Sequence, residues 1–218
     1  MKKKLILALL SLLAVSLLAS SACALKYDRE HPPKAGERAR LVLFDVLNSA
    51  KHPVFLKYRA QMENEDGKKE DTVVTLAVKG DLTFVDLESK SCHLGTIHDG
   101  KNLTTTVIMH DEKMYMAIKD GPVKIPAAGE IGRPEEGERA KYAAASGAEK
   151  IKESEYEYDR LKWKDGGEQT FYFTPWTDDW KWWRVQDGLL EILAYGGTVD
   201  DKLFKVPAGY QEMKMPVM

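Results

Sequence analysis

Val54-Phe55-Leu56-Lys57-Tyr58-Arg59-Ala60-Gln61-Met62 is the stretch on which the fold turns. Leu56, Tyr58, Ala60 and Met62 alternate with Lys57, Arg59 and Gln61. Successive side chains of an extended chain point to opposite faces, so a period of two predicts a strand with one buried face. The charged run Glu63 to Glu70 follows, and Asp66-Gly67 within it is a hairpin signal. The alternation then resumes in Thr72 to Lys79, rich in β-branched residues, and Gly80-Asp81 turns it into Leu82 to Leu87. Further strands are predicted at Cys92 to Ile97, Leu103 to His110 and Lys113 to Ile118, parted by Asp99-Gly100 and Asp111-Glu112. Six short strands joined by tight turns predict an antiparallel meander rather than alternating strand–helix units.

Upstream, Gly36 to Ser49 has a different period. Leu41, Val42, Leu43, Val46 and Leu47 recur near helical spacing, Glu37, Arg38 and Arg40 begin the polar side, and Pro53 ends the helix. Downstream, residues 122–147 interrupt the strands. Arg133-Pro134-Glu135-Glu136 reads as a helix start and Ala140 to Ala145 as its continuation, so a helical insert packed across the sheet is expected. Strands resume at Lys150 to Trp163, Gln169 to Thr174, Trp180 to Gln186 and Leu189 to Tyr195. The expected class is therefore mainly β with a few helices, in one antiparallel sheet of about ten strands. A sheet that wide curls or closes, and a curled sheet has a concave face on which a ligand can sit.

The first residues follow another logic. Lys2, Lys3 and Lys4 precede an uncharged apolar run from Leu5 to Leu18, and Ala22-Cys23-Ala24 supplies the small residues of a cleavage site. This is the pattern of a secretion signal over residues 1–24, too short to span a bilayer, which takes about 20 residues. Cleavage after Ala24 leaves 194 of the 218 residues as one domain, residues 25–218, and the lost lysines take the formal net charge from −2 to −5. The competing reading is a lipoprotein in which Cys23 is acylated, but Ser20 stands where that processing favours Leu. Under ordinary cleavage the mature chain begins at Leu25 without lipid. An exported, periplasmic or envelope location follows, with no transmembrane segment in the mature form. A mildly acidic domain of mixed charge offers no footprint for nucleic acid.

No enzymatic constellation emerges, and no catalytic residue is assigned. The sequence lacks a G-x-S-x-G elbow, an H-E-x-x-H helix and a phosphate-cradling glycine loop. Asp178-Asp179 and Asp200-Asp201 are adjacent acids that read as turn residues. His93, His98 and His110 fall in one meander beside Cys92, but their spacing matches no ligand pattern. Cys92 reads as a small buried strand residue. Met109, Met114 and Met116 suit Cu(I) in principle, but also any adaptable apolar surface, and no metal or cofactor is assigned. Trp180, Trp182 and Trp183, with Trp176 and Phe171-Tyr172-Phe173 nearby, are read as packing aromatics, Trp180 and Trp182 on one face and Trp183 on the other.

The order of signal, helix, six-strand meander, insert and further strands, ending in Leu203-Phe204-Lys205-Val206-Pro207-Ala208-Gly209-Tyr210, resembles the LolA-like superfamily of outer-membrane lipoprotein carriers and lipoprotein-sorting-type exported proteins. Ile97-His98-Asp99-Gly100-Lys101, Gly147-Ala148-Glu149-Lys150-Ile151, Tyr156-Glu157-Tyr158 and Thr170-Phe171-Tyr172-Phe173 carry the same resemblance. It implies a half-barrel with helices across its mouth, enclosing an apolar cavity for acyl chains. Leu56, Tyr58 and Met62 of the first strand, Val74 and Leu76 of the second, and Met114, Met116 and Ile118 of the sixth are the residues expected to line it. The expected partner is a hydrophobic or acylated ligand, lipoproteins included. The alternatives are an envelope sensor using the same cavity, and a structural interaction module whose interior is solid core. The terminal segment is expected to edge a strand at Val206-Pro207, with Phe204 anchored in the core.

Overall fold

The computed structural model describes residues 26–63, 66–119, 142–164, 166–185 and 188–213. The secretion-signal reading, Cys23 and residues 122–141 of the insert lie outside the described residues.

Helix α1 (Glu37–Arg40) runs directly into a π-helical turn (Leu41–Val46), in which Leu47 N donates to Val42 O at 2.8 Å. The strands are β1 (Val54–Glu63), β2 (Lys69–Lys79), β3 (Leu82–Glu88), β4 (His93–Asp99), β5 (Thr104–Met109), β6 (Met114–Lys119), β7 (Tyr142–Ile151), β8 (Ser154–Trp163), β9 (Glu168–Phe173), β10 (Trp180–Val185), β11 (Gly188–Gly196) and β12 (Gln211–Glu212). They form one open, mainly β sheet in the order β12-β6-β5-β4-β3-β2-β1-β11-β10-β9-β8-β7. Two antiparallel meanders, β1 to β6 and β7 to β11, are therefore joined through the pairing of β1 with β11. Only β12 pairs in parallel, along β6.

The sheet packs on both faces. On the inner face, the one carrying α1, Ala39 and Val42 meet Leu56, Leu76, Ile192 and the aromatics of β9 and β10. On the outer face, Ala77, Phe84, Ile97 and Ile108 are covered by the C-terminal segment through Val199, Leu203, Phe204 and Tyr210. A third cluster, Ile151, Tyr172 and Trp182, occupies the outer face of the second meander. Burial on both sides explains why the strands of this sheet carry apolar residues at both parities.

Among the described residues there are twelve strands rather than about ten, and the differences have physical causes. Tyr142 to Gly147 is strand, not helix, and pairs along its length with β8. Alanine's helix propensity is a weak prior against a full ladder of sheet hydrogen bonds. Small side chains are also required there. A Cβ on Gly36 would sit 2.7 Å from the Ala144 Cβ. The single strand expected over Lys150 to Trp163 is the end of the first arm, the turn and the second arm of this hairpin. Lys152, with φ 55°, makes the reversal without glycine. β12 is the other addition, a strand of two residues that the sequence does not announce.

Three smaller expectations also change. The register shifts between Trp180 and Trp182, so Trp180 joins Trp183 on the inner face and Trp182 turns outward. All three indoles are buried, as packing requires. Cys92 is half-buried in the turn before β4, where its N–H donates to Ser89 Oγ at 3.1 Å, and is not a strand residue. Leu203-Phe204 belongs to a 3₁₀ turn (Asp201–Phe204) capped by the Asp200 carboxylate, which accepts from Lys202 N at 2.9 Å. Val206-Pro207 lies in the irregular stretch between that turn and β12, so it edges no strand, and Phe204 is half-buried against the outer cluster.

Candidate functional site

The inner face is built as rungs, because antiparallel register sets one residue from each strand side by side. One rung is Tyr58, Val74, Leu87, Leu94, Met109 and Met114. The next is Leu56, Leu76, Val85, Thr96, Val107 and Met116. A third runs from Val54 and Val78 through Thr83, His98 and Thr105 to Ile118. Seven of the eight residues expected to line a cavity therefore share these three rungs. Met62 shares their parity but lies at the end of β1 opposite Glu70, 43% exposed, beyond the apolar rungs.

The face is divided in two. Leu56, Val74 and Leu76 are buried, Leu56 and Leu76 beneath α1 and its π-helical continuation. Tyr58 and Val85 flank this cluster, and burial raises the Tyr58 phenol above its ordinary pKa. Among the described residues, the inner-face cluster under α1 extends no further than Val85 along these rungs. Leu87, Val107, Met109, Met114, Met116 and Ile118 are half-buried and Leu94 is exposed. The open half is thus a contiguous apolar surface that runs across β3 to β6, with two flexible methionine side chains at its far margin. It has a polar border: on the third rung His98 Nδ1 lies 3.1 Å from Thr105 Oγ1.

The covered half depends on an arrangement that the sequence reading placed wrongly. Arg38, read as the start of a polar helix side, is 1% exposed. Its Nη1 donates to Glu157 Oε2 at 2.7 Å and to the Thr177 carbonyl at 3.2 Å, and its guanidinium lies 4.7 Å from the Phe173 ring centroid. Asp159, fully buried on β8, accepts from the backbone N–H groups of Arg38 at 2.9 Å and Ala39 at 3.3 Å. A carboxylate there satisfies unpaired N–H groups of the helix start. The Ser146 hydroxyl also donates to it at 2.6 Å. These contacts pin α1 to the second meander. Sequence separation concealed them: Arg38 falls among the charged residues that open the helix, and Asp159 among the charges of a strand. Arg59 lies on the opposite parity and pairs at the surface with Glu191, 2.8 Å away.

The histidines separate. His98 faces inward, whereas His93 and His110 meet on the outer face beside Asp86, which the sequence reading had not grouped with them. The acid pairs lie in turns: Asp179 accepts from Thr174 Oγ1 at 3.1 Å and Asp200 caps the 3₁₀ turn. Among the described residues no helix is long and apolar enough to cross a membrane.

No family model and no curated protein matches the chain. Similar solved structures include an uncharacterized conserved protein from Thermus thermophilus, at 9% identity and TM-score 0.43, covering 80% of this chain and 98% of that one. A LolA superfamily protein from Nitrosomonas europaea is 13% identical at TM-score 0.32, covering 78% of this chain and 94% of its own. PNGF-II is 11% identical at TM-score 0.31, and the match spans 74% of this chain but 31% of that one. At these identities and TM-scores the likenesses carry no functional argument.

Proposed function

We propose that this chain is an exported, LolA-like binding protein that holds an apolar or acylated ligand against the open half of its inner sheet face, without catalysing a reaction. The observation that carries this reading is the surface formed by Leu87, Leu94, Val107, Met109, Met114 and Met116, apolar, contiguous and incompletely covered. A surface of that kind on an exported domain calls for a hydrophobic partner. Transfer of a dozen methylenes from water contributes on the order of 10 kcal/mol before ordering costs, enough for useful affinity without polar recognition. Half-buried His98, held at 3.1 Å by the buried Thr105 hydroxyl, puts a polar ring beside the apolar rungs, suited to the polar end of such a ligand. The signal-like N-terminal segment favours an encounter in the periplasm or envelope, where acylated proteins are one source of the ligand.

Titration of the mature chain with a fluorescent anthroyloxy-stearate tests the proposal. Wild type is expected to bind in the micromolar range. Met116→Asp and Leu94→Asp, which put a charge on the apolar surface, should weaken binding at least about tenfold without lowering the unfolding temperature. If wild type takes up no probe and the Asp variants behave identically, the face is not a lipid site and the interaction-module reading replaces this one.

A further inference from the structure

The outer face carries a second constellation, independent of the apolar surface. Asp86 on β3 is paired directly with Gly95 on β4, and Gly95 with Ile108 on β5. His93 shares the parity of Gly95, and His110 follows β5 with its N–H donating to the His93 carbonyl at 3.0 Å. Three polar side chains therefore rise from adjacent strands around a glycine. A Cβ on Gly95 would stand 2.9 Å from His110 Nε2 and 3.2 Å from Asp86 Oδ1. The missing side chain is what lets those two atoms converge.

Their geometry is that of ligands rather than of a fully satisfied hydrogen-bond network. His93 Nε2 is 3.1 Å from Asp86 Oδ2, and His110 Nε2 is 3.1 Å from Asp86 Oδ1. The first contact is a hydrogen bond. The second is close but misaligned, and both of its atoms are buried without a hydrogen-bond partner. Buried polar atoms are normally satisfied, so a pair left facing each other needs a reason. The imidazoles lie face to face, 3.9 Å between centroids, and one ligand atom from each of the three residues falls within 4.8 Å of the others. Zinc with nitrogen and oxygen ligands at about 2.0–2.2 Å spaces its tetrahedral ligands by roughly 3.3–3.6 Å, and both carboxylate–imidazole separations lie within a few tenths of an ångström of that range.

A supporting contact comes from the C-terminal segment. The Tyr210 hydroxyl lies 2.9 Å from His110 Nδ1 and its ring meets the imidazole edge-on. With Nδ1–H donating to that oxygen, Nε2 presents its lone pair, the arrangement by which a partner orients a metal-bound imidazole. The site opens into a cleft of about 370 Å³ that Lys57, Lys202 and Lys205 also line.

We propose that Asp86, His93 and His110 form a binding site for one divalent transition-metal ion of the zinc class, with a fourth position open to the cleft. Two imidazoles and a carboxylate are a donor set that zinc, cobalt and their neighbours favour over calcium or magnesium. The lysines disfavour a bare dication, so the fourth ligand is anionic.

The test uses the full mature chain, stripped with a chelator and titrated with ZnCl₂ by calorimetry and with Co²⁺ by visible absorption. Wild type should bind one equivalent, give the intense visible bands of four-coordinate Co²⁺, and gain about 5–10 °C in unfolding temperature at a hundredfold excess over Kd. His93→Ala and His110→Ala should each weaken binding more than about 100-fold, and Tyr210→Phe, which removes no ligand, by about 10–100-fold. Gly95→Ala should also weaken it while the metal-free protein remains folded. That loss separates a built site from adventitious binding by surface histidines. Absence of stoichiometric binding to wild type would overturn the proposal, as would undiminished binding in the His93→Ala/His110→Ala double variant. The wild-type Co²⁺ spectrum decides the matter even if a variant fails to fold.

Discussion

Arg38 and Asp159 show how much of this structure rests on single buried charges. Their side chains approach to 3.6 Å, with Arg38 1% exposed and Asp159 fully buried. Removing one partner of a buried pair leaves the other uncompensated, which costs about 3–5 kcal/mol. Asp159→Ala, which also strips the acceptor from two helix N–H groups, is expected to lose that much in urea unfolding. Tyr172 gives a pH-dependent counterpart. Burial is the main force pushing its phenol up to about 12 from 10.0; the Arg184 charge opposes that shift, and the hydrogen bond to Glu149 adds to it. Between about pH 10 and 12 the unfolded chain releases a proton that the folded chain keeps, so stability falls as pH rises through that window and is unaffected by this group below it. Tyr172→Phe should lose about 1 kcal/mol at neutral pH for its hydrogen bond, and show a shallower alkaline decline than wild type in urea unfolding. Neither residue's environment was legible locally. Asp159 looked like any strand acid, because its partners arrive from a helix far upstream.

At the level of elements, docking geometry decides what local propensity leaves open. Gly36 begins α1 at φ 72°, and a Cβ there would also sit 3.0 Å from Leu161 Cδ2. Gly36→Ala combines a left-handed backbone, costing about 1–2 kcal/mol for a residue with a Cβ, with a clash against β7 and β8. An unfolding midpoint lowered by more than the backbone cost is expected; an unchanged midpoint would show that α1 can dock elsewhere. The C-terminal segment makes the opposite point. Phe204 is half-buried, so Phe204→Ala should cost about 1–2 kcal/mol by thermal unfolding, less than full burial in a core would imply. Turn chemistry and alternation located most strands to within a residue or two. The bulge at Trp180 to Trp182 escaped that reading, because alternation assumes an unbroken register. The Tyr142 to Ile151 strand escaped it as well, because alanine-rich sequence without turn residues carries no period of two.

For the whole molecule, the sheet presents an apolar inner surface at one end and a covered core at the other. If the open half is the ligand surface, a bound acyl chain should slow amide exchange along β4 to β6 while leaving β8 to β10, already packed, unchanged. Hydrogen-exchange measurements with and without the fatty-acid probe check this. Equal protection across both meanders would place the ligand elsewhere.

The sequence by itself determined the strand-rich class, the first meander and the parity that sets Leu56, Leu76 and Met116 on one face, because a period of two is a local property of the chain. It also carried the signal-like N-terminal segment, read from composition alone. Only the tertiary structure decided which half of that face is covered, since this depends on where α1 lands, and that is set by Asp159, Ala144 and Leu161 from the distant meander. The same holds for Asp86, His93 and His110. Their convergence depends on three strands in register around Gly95, and spacing along one strand does not encode where a neighbour's side chain will stand.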